Sequence, residues 1–265
     1  MWGERTYLMG VINVSPDSFS GDGLADADAA VAQGRRFVEE GADLLDVGGQ
    51  STRPGFEELS PDEEAGRVVP VIERLAREVA VPLSVDTYKA PVARAALEAG
   101  AHLLNDIWGF RNDTTLAELA VEFGVPCVIM HNQRGREFRD VIGDIRAGLE
   151  ESIGIAERAG LPRERLIADP GFGFGWTEAQ NLEMLRRQGE LRDLGLPILA
   201  GTSRKSTIGA VLGGVAAGER IFGTAATVAL AIANGADVVR VHDVREMRDV
   251  ARVADAVVRG WRKEA

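Results

Sequence analysis

One short phrase recurs along this chain and limits its fold more than any other feature. A helical stretch ends in glycine, two residues pass, and a brief apolar run closes on a polar residue. It reads EEGADLLDVGG at 39–49, LEAGAHLLNDI at 97–107, EFGVPCVIMHN at 122–132, DLGLPILAGTS at 193–203 and ANGADVVRVHD at 233–243, with a looser copy, RAGLPRERLIADPG, at 158–171. The glycine suits the position just past a helix, where positive φ costs it little. The apolar runs are too short for helices and fit strands buried on both faces, as in a parallel sheet. Filling the gaps gives eight strands, at about 7–12, 43–47, 82–86, 102–105, 126–130, 165–169, 197–201 and 237–241.

Helical patterns lie between them, such as 26–41 and 60–79. The second opens on Ser60 as an N-cap, followed by Pro61 and acidic residues. The stretch 205–234 holds two helical segments divided near Gly213–Gly218. Eight β–α alternations without a second compositional regime or a linker predict an α/β fold, a (βα)8 TIM barrel forming one domain over residues 1–265.

Composition narrows the function. Hydrophobic residues make up 45% and charged residues 27%, enough for a large core. No apolar run reaches the ~18 residues that a membrane span needs. The start, MWGERTYLMG, lacks a charged-then-apolar signal region, so a cytoplasmic protein is expected. The single Cys127 lies in an apolar run and reads as a small core residue; with three histidines and no CxxC, zinc is not expected. The net charge of −11 argues against nucleic-acid and membrane partners, yet leaves room for a small anion held by a local cationic cluster. Only three of the 30 basic residues are lysines, which makes Lys205 more telling.

The polar residues that end the strands carry the chemistry. They are Asn13, Asp46, Asp86, Asn105 with Asp106, His131, Asp169, Thr202 with Ser203, and Arg240 with His242. A barrel gathers such residues at its C-terminal mouth, where active sites of this fold lie. Each alone has a bland role as a cap or turn former; the set is harder to dismiss. Asp86, Asn105 and Asp169 read as a socket for a flat, nitrogen-rich heterocycle, because a carboxylate accepts paired hydrogen bonds from a guanidine-like edge. Arg240 and His242 alternate on the last strand and so share a face. With Lys205 they read as a cationic site for an oxyanion or diphosphate, and Ser51, Thr52 and Arg53 supply further donors for phosphate oxygens. The loop 13–23 exceeds what a connection needs and reads as a flap. His131 is expected in the pocket wall. GTSRKSTIG (201–209) invites comparison with a P-loop, but Arg204 stands where G-x-x-x-x-G-K-[ST] demands glycine. The residues alone describe an enzyme for a diphosphorylated, nitrogen-rich substrate.

MGVINVSPDSFS (9–20), DVGGQSTRPG (46–55), SVDTYK (84–89), NDI (105–107), DPGFGFG (169–175), GTSRKSTIG and RVHDV (240–244) occur in this order. Together they resemble the dihydropteroate synthase family, over essentially the whole chain. The resemblance implies condensation of 6-hydroxymethyl-7,8-dihydropterin diphosphate with p-aminobenzoate, releasing diphosphate with the help of Mg2+, and a protein targeted by sulfonamides. It implies that Asp86, Asn105, Asp169 and Lys205 hold the pterin, with Asp169 facing its guanidine-like edge. Asn13, Thr52, Arg53, Arg240 and His242 would hold the diphosphate, Asn13 also ligating Mg2+. Thr52, Arg53, Pro54, Phe174, Lys205 and Ser206 would line the p-aminobenzoate side, and Lys205, Asp86 and Arg240 would carry the catalytic roles. A homodimer through the last helices is also implied. Such a reaction needs no protein nucleophile, and the motifs offer no nucleophile–base pair.

The chain departs from the family pattern at Gln50, where Glu is common, and at Trp176, where Lys is common. In the flap FSGDG, the acidic residue moves from 21 to Asp22. Two other readings share parts of the pattern. A pterin-dependent methyltransferase barrel would have no use for STRPG, SRKS and the RVH pair. A non-catalytic pterin-binding paralogue would keep the barrel and erode the loops.

Overall fold

The structure, a computed structural model, describes residues 2–14, 27–51 and 58–261. Its strands are β1 (Tyr7–Asn13), β2 (Leu44–Gly48), β3 (Leu83–Asp86), β4 (Leu103–Asp106), β5 (Cys127–Met130), β6 (Leu166–Asp169), β7 (Leu199–Ala200) and β8 (Val238–Val241). Between and after them run α1 (Ala27–Glu40), α2 (Pro61–Glu78), α3 (Ala90–Glu98), α4 (Thr115–Phe123), α5 (Val141–Ala159), α6 (Glu178–Arg187), α7 (Ser206–Val211), α8 (Ile221–Ala233) and α9 (Val244–Val258). All strand pairings are parallel, in the order β6-β5-β4-β3-β2-β1-β8-β7. A parallel bridge from Ala168 to Ile198 then joins β6 to the segment entering β7, closing the sheet on itself. This is the (βα)8 barrel expected from the repeat, with the seventh strand shorter than its apolar run.

Local chemistry explains the element ends. The six glycines of the repeat, Gly41, Gly100, Gly124, Gly160, Gly195 and Gly235, all have positive φ. At Gly160 the φ is 90° and the N–H bonds back to Ala156 and Glu157, ending α5. Ser60 caps α2 in a capping box: its Oγ accepts the Glu63 N–H at 3.3 Å, while the Glu63 carboxylate accepts the Ser60 N–H at 2.9 Å.

Strand side chains alternate between the barrel interior and the helix layer. The outward phase, including Leu45, Val47, Leu83 and Val85, packs beneath the helices in the main core. Each such side chain contributes on the order of 2 kcal/mol when fully buried. The inward phase begins apolar: Met9, Leu103, Val128, Ile167, Leu199 and Val238 fill the barrel as one cluster. Two residues farther along the same phase stand Asn105, Asp169 and Arg240. Alternation thus sets an apolar plug below a polar mouth.

Candidate active site

Arg240 organises one side of the mouth. Its Nε donates to Asp46 Oδ2 at 2.6 Å and its Nη2 to Asp86 Oδ2 at 2.8 Å. Asp46 pairs in register with Ser84 and therefore lies one layer below Asp86, fully buried. The same Asp46 Oδ2 accepts Asn105 Nδ2 at 2.9 Å. That bond fixes the amide, so the Asn105 oxygen is left as an acceptor for the pocket. Sequence reading placed Asp46 at the mouth but gave it no role; only neighbours on β4 and β8 reveal that it orients both Asn105 and Arg240.

Asp169 enters from β6. Its Oδ1 accepts the Gly171 N–H at 2.7 Å, leaving Oδ2 for a ligand. Lys205 stands just before α7, with its Nζ 4.2 Å from the centroid of Phe174. The residue before it, Arg204, has φ 56° and is clamped to Asp243 by bonds of 3.0 and 2.5 Å. The glycine-like backbone of a P-loop is therefore adopted here by an ion-paired arginine. Ser206 is exposed at the first position of α7. Asn13 ends β1 in the inward phase, half-buried. Thr52, Arg53, Pro54, Asp22 and most of the loop 13–23 lie outside the described residues.

The charge states follow from burial. Burial pushes the Asp86 carboxyl up, opposed by Arg240 and reinforced by Asp46. Burial likewise raises Asp169 to about 6, against the Gly171 N–H and the Lys205 charge. Lys205 is drawn down to about 8 by burial and by Arg240, with Asp169 and Asp86 opposing.

Three sequence expectations need correction. His242 is no cation: burial, with Arg240 and Arg204 nearby, lowers it to about 3. The Ser203 hydroxyl accepts the His242 N–H at 3.3 Å and lies 2.9 Å from Nδ1, to which it donates. A neutral ring with Nε2–H is left as a donor. His131 is not in the pocket wall. It lies outside the barrel, where a Cβ on Gly148 of α5 would stand 2.0 Å from its Nδ1, and its Nε2 donates to Gln133 at 2.9 Å. Asp106 also turns outward, accepting the Trp108 and Phe110 N–H groups at 2.8 and 2.6 Å. Both residues are out of phase with the inward positions of their strands.

The departures at Gln50 and Trp176 have physical accounts. Buried Lys89 donates to Glu64 at 2.8 Å, Gln50 Oε1 at 2.7 Å and the Leu59 carbonyl at 2.7 Å, while Gln50 Nε2 donates to Tyr88 at 2.9 Å. Glu64 already balances Lys89, so a glutamate at 50 would put a second, half-buried carboxylate on the same lysine, whereas the neutral amide also donates to Tyr88. Trp176 packs against His131 and edge-on to Phe138.

Fold and site together define a barrel whose mouth offers acceptors to a donor-rich planar heterocycle, beside an arginine, a lysine and a neutral histidine for an anion. The pterin binding enzyme family matches residues 9–242, and the chain belongs to that family. It is 49% identical to the dihydropteroate synthase of Clostridium beijerinckii, over 97% of this chain and 96% of that one. The Clostridium difficile dihydropteroate synthase, solved in the presence of pteroic acid, matches with a TM-score of 0.92 and 46% identity, over 97% of this chain and 98% of that one. The Xanthomonas albilineans enzyme with 4-aminobenzoic acid matches at 0.89 and 44%, over 96% and 93%.

Proposed function

We propose that this chain condenses 6-hydroxymethyl-7,8-dihydropterin diphosphate with p-aminobenzoate to give 7,8-dihydropteroate and diphosphate, a folate-forming transferase reaction and a target of sulfonamides. The observation that carries this reading is the acceptor socket. Asp86 keeps Oδ1, Asn105 its amide oxygen and Asp169 its Oδ2 toward the pocket, matching a ring edge rich in N–H groups. Arg240 and the Nε2–H of His242 bind the diphosphate oxygens and stabilise their charge as the C–O bond to the pterin methylene breaks. Lys205 borders both the heterocycle and, on Phe174, the arylamine whose nitrogen attacks that carbon.

Asn13 suits Mg2+. Among the described residues no cluster of three His, Cys, Asp or Glu exists to cage a metal. Mg2+ is commonly held by one or two protein oxygens together with substrate phosphates and water. The Asn13 amide oxygen, inward-facing at the end of β1, is such a donor, and bound Mg2+ would draw charge from the departing diphosphate.

The protein acts in the cytoplasm as a homodimer in this reading. No described helix is long and apolar enough to cross a membrane. Phe222 on α8 is 86% exposed and Val257 on α9 80% exposed, an apolar face fit for a second copy.

The test is direct. The purified protein is mixed with dihydropterin diphosphate, p-aminobenzoate and Mg2+, and dihydropteroate and diphosphate are measured. Tight pterin binding without product would sink the synthase reading in favour of a pterin-binding paralogue.

A further inference from the structure

The connection from β5 to α5 is pressed onto the turn after β6. Gly171 and Gly175 there have φ of 81° and 82°. A Cβ on Gly171 would stand 1.9 Å from the His131 carbonyl oxygen, and one on Gly175 2.5 Å from the Arg134 nitrogen. Two bonds fasten the segments: the His131 N–H donates to the Asp169 carbonyl at 2.9 Å and the Gln133 N–H to the Phe174 carbonyl at 3.1 Å. Trp176 adds its contacts with His131 and Phe138 at centroid distances of 5.6 and 6.4 Å. The Arg134 N–H is held by Asn132 Oδ1 at 3.2 Å. This docking brings the Arg134 guanidinium to 5.0 Å from the Phe174 centroid, on the ring that also carries Lys205.

We propose that Arg134 is a specificity-determining residue that recognises the carboxylate of the arylamine substrate. The inference rests on the synthase reading, in which Phe174, Lys205 and Ser206 border the arylamine. Lys205 is partly balanced there by Asp169 and Asp86, and the Arg134 charge also acts on it, adding to burial and Arg240 in holding its ammonium down. An arriving carboxylate is attracted by both charges. A guanidinium is a planar fork whose N–H groups match a carboxylate's two oxygens, which a lysine ammonium does not. Arg134 is half-buried, so the attraction is screened less than on an open surface. An uncharged arylamine gains nothing from it.

The test uses Arg134→Met, which keeps an apolar stem on Phe174, and Arg134→Lys, which keeps the charge without the fork. In Arg134→Met, KM for p-aminobenzoate is expected to rise about tenfold, the worth of one charge-assisted contact at such a site, and in Arg134→Lys less. KM for dihydropterin diphosphate should stay in place, and the preference for p-aminobenzoate over uncharged p-aminobenzamide should fall by the same factor. An unchanged KM for p-aminobenzoate, an equal rise for both arylamines, or a rise confined to dihydropterin diphosphate overturns the proposal. Calorimetric titration with p-aminobenzoate separates it from the reaction. A wild type that makes no dihydropteroate yet binds p-aminobenzoate more tightly than Arg134→Met removes the synthase reading and keeps the carboxylate role. Equal binding by the two, or none by either, removes that role.

Discussion

Asp169 accepts a ligand N–H best as an anion, and burial delays its ionisation to about pH 6. Lys205 has the opposite problem: burial and Arg240 strip its proton from about pH 8. The carboxylate is thus present above the first value and the ammonium below the second. The dependence of kcat/KM on pH for dihydropterin diphosphate is expected to be a bell, its acid limb set by Asp169 together with Asp86, which burial also raises, and its basic limb by Lys205. Lys205→Arg keeps a cation at all working pH values, so its acid limb should remain and its basic limb vanish. A basic limb unmoved in that variant belongs to another group. Asp46 presents a different residue-scale case. Asp46→Ala leaves Arg240 Nε and Asn105 Nδ2 without their acceptor in a buried place, and a loss of about 3 kcal/mol in denaturant unfolding is expected. Asp46→Asn should lose less, since an amide oxygen still accepts. Equal losses would assign the effect to charge alone.

Among the elements, six of the eight strands were legible because glycine, apolar run and polar terminus recur, and β1 and β3 because they fill the gaps in that series. The socket residues Asp86, Asn105 and Asp169 were legible for the same reason, each closing an apolar run. Counting strand ends places Asp106 and His131 at the mouth, whereas alternation from Leu103 and Val128 turns them outward. Lys89 is as rare a lysine in this chain as Lys205, but its pairing with Glu64 joins two elements and no local pattern encodes it. The partners of Asp46 and the docking of Arg134 join elements distant in sequence, and no local pattern encodes them. Helices α8 and α9 carry a further expectation. Replacing Phe222 and Val257 with glutamate puts two charges on their exposed apolar face, and sedimentation should show dimers giving way to monomers with an unchanged circular dichroism spectrum. Wild-type protein sedimenting as a monomer would remove the dimer from the proposal.

For the whole molecule, the barrel is not equally sewn around its circumference. β1 and β2 pair over five registered residues, from Met9–Leu44 to Asn13–Gly48, whereas β6 meets the β7 segment at one bridge, Ala168–Ile198. Asp169 follows directly on one side of that seam and Lys205 leaves from the other. Thin pairing opens at lower free energy than a long ladder, so amide protons along the seam should trade with solvent sooner. Deuterium uptake at Ala168, whose N–H donates to the Pro197 carbonyl at 2.9 Å, is therefore expected to outpace that at Val11 and Ile12. A pterin held by both Asp169 and Lys205 would act as a stitch across the gap, slowing uptake at Ala168 more than in β1. Equal slowing in both places would mean that the ligand steadies the barrel uniformly and that the seam is no hinge between the two halves of the site.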